Sequence, residues 1–196
     1  LNYFLGADVN ISYGQGTLYY FIVAAVFKLK LVYIEENSLD LILSYSIQNT
    51  NLIFYLLGLY GIYMLLKVLN FDDNLIFLTL SLFNFFPQSM LIRSVMKPEI
   101  LAFSFFPWTL YFAEKYRKDN NLINIYFAFP FLLLIINSKG SIAGMALAYI
   151  VIAYYGEIRK INPKKLVSLF FVFFSFLLLI QYENFTITQN TLFDRA

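Results

Sequence analysis

The sequence predicts an all-α fold, a polytopic membrane bundle of about six transmembrane helices with one further helix at the membrane interface. Hydrophobic residues make up 60% of the 196-residue chain, and aromatic residues alone make up 20%. Only 13% of the residues are charged, whereas soluble domains usually carry about 25%. The hydrophobic residues also fall in long runs, with the charges collected between them. Together with a mean hydropathy of +0.68, this pattern argues against a soluble domain.

The chain divides into loops, a short helix and six candidate spans. Residues 1–16 are polar and mixed, and they predict the end of an outer loop. Residues 17–33 are apolar as far as Phe27 and then contain Lys28 and Lys30, so they predict an interfacial helix or a short membrane helix. The six apolar runs within residues 41–182 cover residues 41–69, 75–92, 98–113, 122–136, 142–155 and 166–180. Residues 183–196 predict the start of another outer loop, so that residues 1–196 form part of the transmembrane domain of a larger protein.

The basic residues predict how these spans are oriented. Taken over alternate loops, one side of the membrane collects Lys67, Lys115, Arg117, Lys118, Arg159, Lys160, Lys164 and Lys165. Basic loops are retained on the cytoplasmic side, so this side is expected to face the cytoplasm. The predicted location is the cytoplasmic (plasma) membrane, with the functional side facing outward. The net charge of +2 does not indicate a nucleic-acid partner.

Three basic residues lie on the predicted outer side, where the charge rule disfavours them. Arg93, Lys97 and Lys139 all fall at outer ends of predicted spans. We expect them to converge on one anionic ligand, because lysine binds phosphate as a point charge and arginine can bind it through two parallel hydrogen bonds. The alternative is that each side chain only extends to the lipid headgroups.

Carboxylates are the remaining candidates for acid–base chemistry, because the chain contains no histidine and no cysteine. Glu99 and Asp8 are the candidate catalytic carboxylates, and Glu35 and Glu36 are candidate substrate contacts. Glu99 could instead be a helix-start carboxylate that pairs with Lys97. Glu35 and Glu36 could instead be solvated loop charges.

A polar stretch at residues 44–51 precedes an apolar run. Polar side chains within a membrane segment generally face a protein interior or a wet cavity, so this stretch could line an acceptor cavity. The alternative is that it lies outside the hydrocarbon.

The order of these features resembles the GT-C fold, the polytopic glycosyltransferases that use polyprenyl-phosphate sugars. YGQGTLYYFIVAAVFKL at residues 13–29 is similar to that family's segment after the first outer loop, with Gly16 and Thr17 where the family has two prolines. LSLFNFFPQSMLIRSVMKPEILAFSFFPWTLYFAEKYRK resembles a span ending in proline, an outer loop with an acidic residue, and the next span. INSKGSIAGMALAYI resembles the Thr-Lys-Gly turn of aminoarabinose- and mannosyltransferase members.

This resemblance implies an inverting transfer of a sugar from a polyprenyl phosphate to an acceptor hydroxyl of a glycan, lipid or protein at the outer membrane face. Lys139 and Arg93 would then lie near the lipid phosphate, and Glu99 would contact the acceptor or a metal. Either cationic groups or a divalent cation would stabilise the departing lipid phosphate. The family's main catalytic carboxylate lies upstream of the matched segment, and Asp8 is not equated with it.

Two other functions fit parts of the pattern. Pro87, Pro107 and Pro130 within spans suit the discontinuous helices of a transporter or flippase component. A non-catalytic membrane scaffold subunit would need no converging outer charges.

Overall fold

The computed structural model describes residues 17–31, 39–138, 144–146, 148, 167, 171, 174, 175 and 178. All regular secondary structure in this part of the chain is helical, which confirms the predicted all-α class. The helices are α1 (Thr17–Leu31), α2 (Leu39–Val68), α3 (Asp73–Phe85), α4 (Pro87–Ser94), α5 (Glu99–Asp119) and α6 (Leu122–Ser138).

Helix α2 is the longest described element. Its 30 residues extend over about 45 Å, and it is long and apolar enough to cross a membrane. Helices α3 and α4 pass the same test only as a pair, and α6 is apolar but shorter. By length and composition, the described residues therefore contain one candidate span, or two if the α3–α4 pair is one. The predicted spans at residues 142–155 and 166–180 lie almost entirely outside the described residues.

The predicted span at residues 75–92 is not one straight helix. Helices α3 and α4 meet at a bend of 58°. Phe86, between them, has extended backbone angles of φ −67° and ψ 130°, and Pro87 begins α4. A residue before proline is pushed out of the helical region, while proline is tolerated at a helix start because its missing N–H would have no partner there. Pro87 therefore explains the bend.

Helices α2 and α5 run in parallel. The Ser104 hydroxyl donates to the Phe54 carbonyl at 2.6 Å, and the Trp108 indole N–H donates to the Leu57 carbonyl at 3.0 Å. Further along both segments, Lys118 Nζ donates to Asn70 Oδ1 at 3.0 Å. Residue numbers increase together in these three contacts, so the two helices run in the same direction. Lys67 and Lys118 consequently lie at one end of the bundle, which we call the Lys118 end.

The opposite end of the bundle contains residues 93–99, and we call it the Arg93 end. Helix α6 runs antiparallel to α5 after a turn in which Asn120 adopts φ 53°. The rings of Phe105 and Phe131 lie 5.5 Å apart, and those of Phe112 and Phe127 lie 5.3 Å apart. Because of this antiparallel order, the last residue of α6, Ser138, lies towards the Arg93 end.

Large apolar side chains cover the outward faces of α2 and α3. Ile53 is 64% exposed, and Phe77 and Phe85 are each 74% exposed. Further exposed apolar side chains on these two helices are Leu52, Leu56, Leu75, Leu78 and Leu82. An apolar surface of this extent marks contact with a membrane or another apolar partner.

Gly58 allows α2 and α5 to approach closely. A Cβ atom at this position would lie 2.6 Å from a ring carbon of Phe103 and 3.1 Å from the Ser104 backbone. We expect Gly58→Ala to lower the stability of the bundle by about 1–3 kcal/mol, because overpacking outweighs the gain in helix propensity. Thermal unfolding of the purified protein in detergent would measure this change. Gly144→Ala is the matched control, since no described atom lies within 4 Å of its added Cβ; equal melting temperatures for both variants would contradict the prediction.

Candidate anion-binding site

The Arg93 end is organised around the buried side chain of Asn51. Its amide nitrogen donates to the carbonyl oxygens of Arg93 at 3.1 Å and Val95 at 2.9 Å. Its amide oxygen accepts from the Tyr19 hydroxyl at 2.7 Å. Helix α4 ends at Ser94, and the last carbonyls of a helix have no partner within the helix. Asn51 supplies the missing donor to the Arg93 carbonyl and a further donor to the Val95 carbonyl, so α2 fixes the segment between α4 and α5.

Tyr19 connects α1 to the same point. Burial raises the pKa of Tyr19 to about 12, although hydrogen bonds with Asn51 and with the Lys97 backbone partly oppose this shift. The phenol therefore keeps its proton throughout the physiological pH range and remains the donor to Asn51. Helix α1 is consequently attached to both α2 and the segment that follows α4.

The Arg93 guanidinium is held on one edge and one face. Its Nε donates to the Ser89 carbonyl at 3.1 Å, and its central carbon lies 4.7 Å above the ring centre of Tyr55. Tyr55 is itself buried and stacks on Phe103 with ring centres 5.3 Å apart. In the described part of the chain, neither terminal nitrogen of Arg93 has a hydrogen bond or an ion pair. This half-buried cation therefore presents the paired donors that bind carboxylates and phosphates.

Lys97 and Glu99 lie beside this cation in the chain. Lys97 is exposed, and no ion pair joins it to a carboxylate among residues 39–138. Glu99 is the first residue of α5 and follows Pro98, as the sequence predicts. Burial, and then the nearby Glu99 charge, raise the pKa of Tyr20. The Arg93 end thus combines two cations, a partly buried carboxylate and the tyrosines of α1.

Four predicted site residues fall outside the described residues, namely Asp8, Glu35, Glu36 and Lys139. The expected convergence of Arg93 and Lys139 therefore stays a prediction. Ser138, which directly precedes Lys139 in the chain, is buried and lies towards the Arg93 end. The described residues contain no group of three or more potential metal ligands of the His, Cys, Asp and Glu types.

The polar stretch of α2 divides into two faces. Ser46, Thr50 and Asn51 are buried, whereas Ser44, Gln48 and Asn49 are exposed. The predicted lining of an acceptor cavity was the whole stretch, with no separate role for Asn51. The available signal was its spacing: Asn51 lies four residues before Tyr55, and this spacing puts both side chains on one helical face.

No protein-family model, curated protein or solved structure matches this chain.

Proposed function

We propose that this chain is part of a membrane glycosyltransferase that moves a sugar from a polyprenyl-phosphate donor to an acceptor hydroxyl on the outer membrane face, with inversion. The observation that carries the proposal is the Arg93 guanidinium, which is oriented by Tyr55 and Ser89 while its terminal donors have no partner in the described part of the chain. A fixed guanidinium at the end of an apolar bundle fits the phosphate of a membrane-embedded lipid.

The surface and the charges support placement in a membrane. The outward faces of α2 and α3 carry large apolar side chains that lipid tails would cover. Lys67 and Lys118 lie at the end opposite Arg93, as the charge-based topology requires. In the proposed orientation, the Lys118 end faces the cytoplasm and the Arg93 end faces outward across the plasma membrane.

The proposed reaction assigns separate roles to the outer residues. Arg93 and Lys139 stabilise the charge that develops on the departing lipid phosphate, and Lys97 adds positive charge nearby. Glu99 or Asp8 accepts the proton of the acceptor hydroxyl as its oxygen bonds to the anomeric carbon and the bond to phosphate breaks. Glu35 and Glu36 complete the proposed substrate contacts. A divalent cation, if bound, would contact Glu99.

Arg93→Gln tests this proposal. We expect the variant to bind undecaprenyl phosphate about 10- to 100-fold more weakly in nanodiscs, because it loses charge-assisted hydrogen bonds. Native mass spectrometry of the purified full-length protein would measure binding. Sugar transfer from a radiolabelled polyprenyl-phosphate sugar should fall in the same membranes. Lys118→Gln removes one cation from the opposite end and should change neither quantity; unchanged binding by Arg93→Gln would refute the role of Arg93.

The bend between α3 and α4 favours a second candidate function, a transporter or flippase component, because discontinuous helices are common in such proteins. The two functions differ in what happens after the lipid binds. A flippase would move a fluorescent polyprenyl phosphate between the leaflets of a liposome without forming a glycosylated product. A transferase would form the product and leave the leaflet distribution unchanged. A scaffold subunit would neither move the lipid between leaflets nor form a glycosylated product.

A further inference from the structure

We infer that Asn51 is a positioning residue for the anion site. It acts through the backbone of Arg93, and through its hydrogen bond with Tyr19 it makes α1 part of that site. The inference rests on the proposed function in one respect, namely that Arg93 binds a lipid phosphate.

Two residues on one face of α2 hold Arg93 from different sides. Asn51 binds its backbone carbonyl at 3.1 Å, and Tyr55 lies under its guanidinium at 4.7 Å. Asn51 and Tyr55 are one helical turn apart, so the same rigid surface sets the position of both the main chain and the side chain. Loss of the Asn51 contact would leave the guanidinium attached only through its own side-chain contacts.

The second Asn51 bond prevents rotation of this segment. The amide nitrogen contacts two carbonyls that are two residues apart, those of Arg93 and Val95. Two anchor points on one short segment fix its direction as well as its distance from α2. The Tyr19 hydroxyl then fixes which way the amide of Asn51 points, because it donates only to the oxygen side. A displacement of α1 would therefore be transmitted to Arg93.

Asn51→Leu keeps a side chain of similar size and removes every one of these hydrogen bonds. We expect it to weaken binding of undecaprenyl phosphate by about 10-fold, because the planar Arg93 guanidinium is no longer held in one orientation towards the ligand. Tyr19→Phe should cause a smaller loss. Thr50→Val is the matched control: Thr50 is the buried chain neighbour of Asn51, and its hydroxyl has no hydrogen-bond partner in the described structure. Thr50→Val should bind like the wild type.

A double-mutant cycle separates positioning from general destabilisation. If Asn51 acts through Arg93, adding Asn51→Leu to Arg93→Gln causes no further loss of binding. Independent losses that multiply in the double variant would overturn the inference, as would unchanged binding by Asn51→Leu alone. All variants would be measured in nanodiscs on the full-length protein.

The positioning role of Asn51 can also be tested without lipid, and therefore independently of the proposed function. Phenylglyoxal modifies arginine side chains, and peptide mapping by mass spectrometry gives the rate at Arg93 alone. We expect Asn51→Leu to raise this rate several-fold, because the guanidinium leaves the ring of Tyr55, and Thr50→Val to leave it unchanged. If the wild type fails to bind undecaprenyl phosphate, the proposed function is wrong, and the modification rate decides the positioning role. An unchanged rate in Asn51→Leu would refute that role.

Discussion

A membrane-impermeant maleimide added to intact cells is expected to label a Lys97→Cys variant and to leave an Asp72→Cys variant unlabelled. Both positions are exposed, and the chain has no cysteine of its own to give background labelling. Lys97 lies at the Arg93 end, whereas Asp72 lies between α2 and α3 at the Lys118 end. The difference should be close to all-or-none, because the reagent does not cross the membrane.

Permeabilised cells provide the control for this experiment. Both variants should react fully once the reagent reaches both sides, which shows that each thiol is accessible. Labelling of Asp72→Cys alone in intact cells would invert the topology and place Arg93 at the cytoplasmic face, contrary to the proposed function. Labelling of both variants in intact cells would show that the described helices do not separate the two ends across a membrane.

Replacement of Tyr55 by alanine should have the largest effect on stability. Tyr55 is 1% exposed, and its ring stacks on Phe103 of α5 and lies under the guanidinium of Arg93 of α4. Removing a buried aromatic side chain leaves a cavity and costs about 3–5 kcal/mol. We therefore expect Tyr55→Ala to lower the melting temperature in detergent strongly and to weaken the attachment of α4 to α2.

Tyr55→Phe separates the contribution of the ring to stability from that of the hydroxyl. The hydroxyl makes two long contacts, at 3.4 Å to the Phe83 carbonyl and 3.4 Å to Asn84 Oδ1. Hydrogen bonds of this length contribute little, so the phenylalanine variant should remain close to the wild type. If Tyr55→Phe were as unstable as Tyr55→Ala, the stability would depend on the hydroxyl and not on ring packing.

The sequence predicts the limits of the helices well wherever apolar runs or helix-start residues determine them. The apolar runs predicted α2, α5 and α6 to within a few residues of their limits, apart from the charged last turn of α5. Pro98 and Glu99 also marked the start of α5 correctly, because both residues have favourable positions at a helix start. All three prolines suited discontinuous helices, and the sequence could not single out the break before Pro87, since Pro107 and Pro130 lie inside continuous helices. Pro87 explains the bend, but whether a proline breaks a helix also depends on whether neighbours satisfy the freed backbone groups.

The candidate site likewise has a part that the sequence predicts and a part that it does not. Charge asymmetry selects Arg93 and Lys97 as candidates, because the charge rule leaves few reasons for a cation on the predicted outer side. The partners that hold Arg93 could not be predicted. Asn51 meets the Arg93 carbonyl across 42 positions of the sequence, and Tyr19 meets Asn51 across 32. Such pairings depend on how helices pack, and a polar residue in an apolar run does not reveal which carbonyl it will bind.

The bend between α3 and α4 has a consequence for the surrounding lipid. The two helices have 13 and 8 residues, which correspond to about 20 Å and about 12 Å of helix axis. With a 58° bend the two helix axes still span about 28 Å from end to end, close to the ~30 Å hydrocarbon thickness of a typical bilayer. In the proposed orientation, the bent pair therefore only just crosses the hydrocarbon, and Arg93, near the end of α4, lies at its outer boundary. A lipid phosphate would then reach the guanidinium without leaving its headgroup layer.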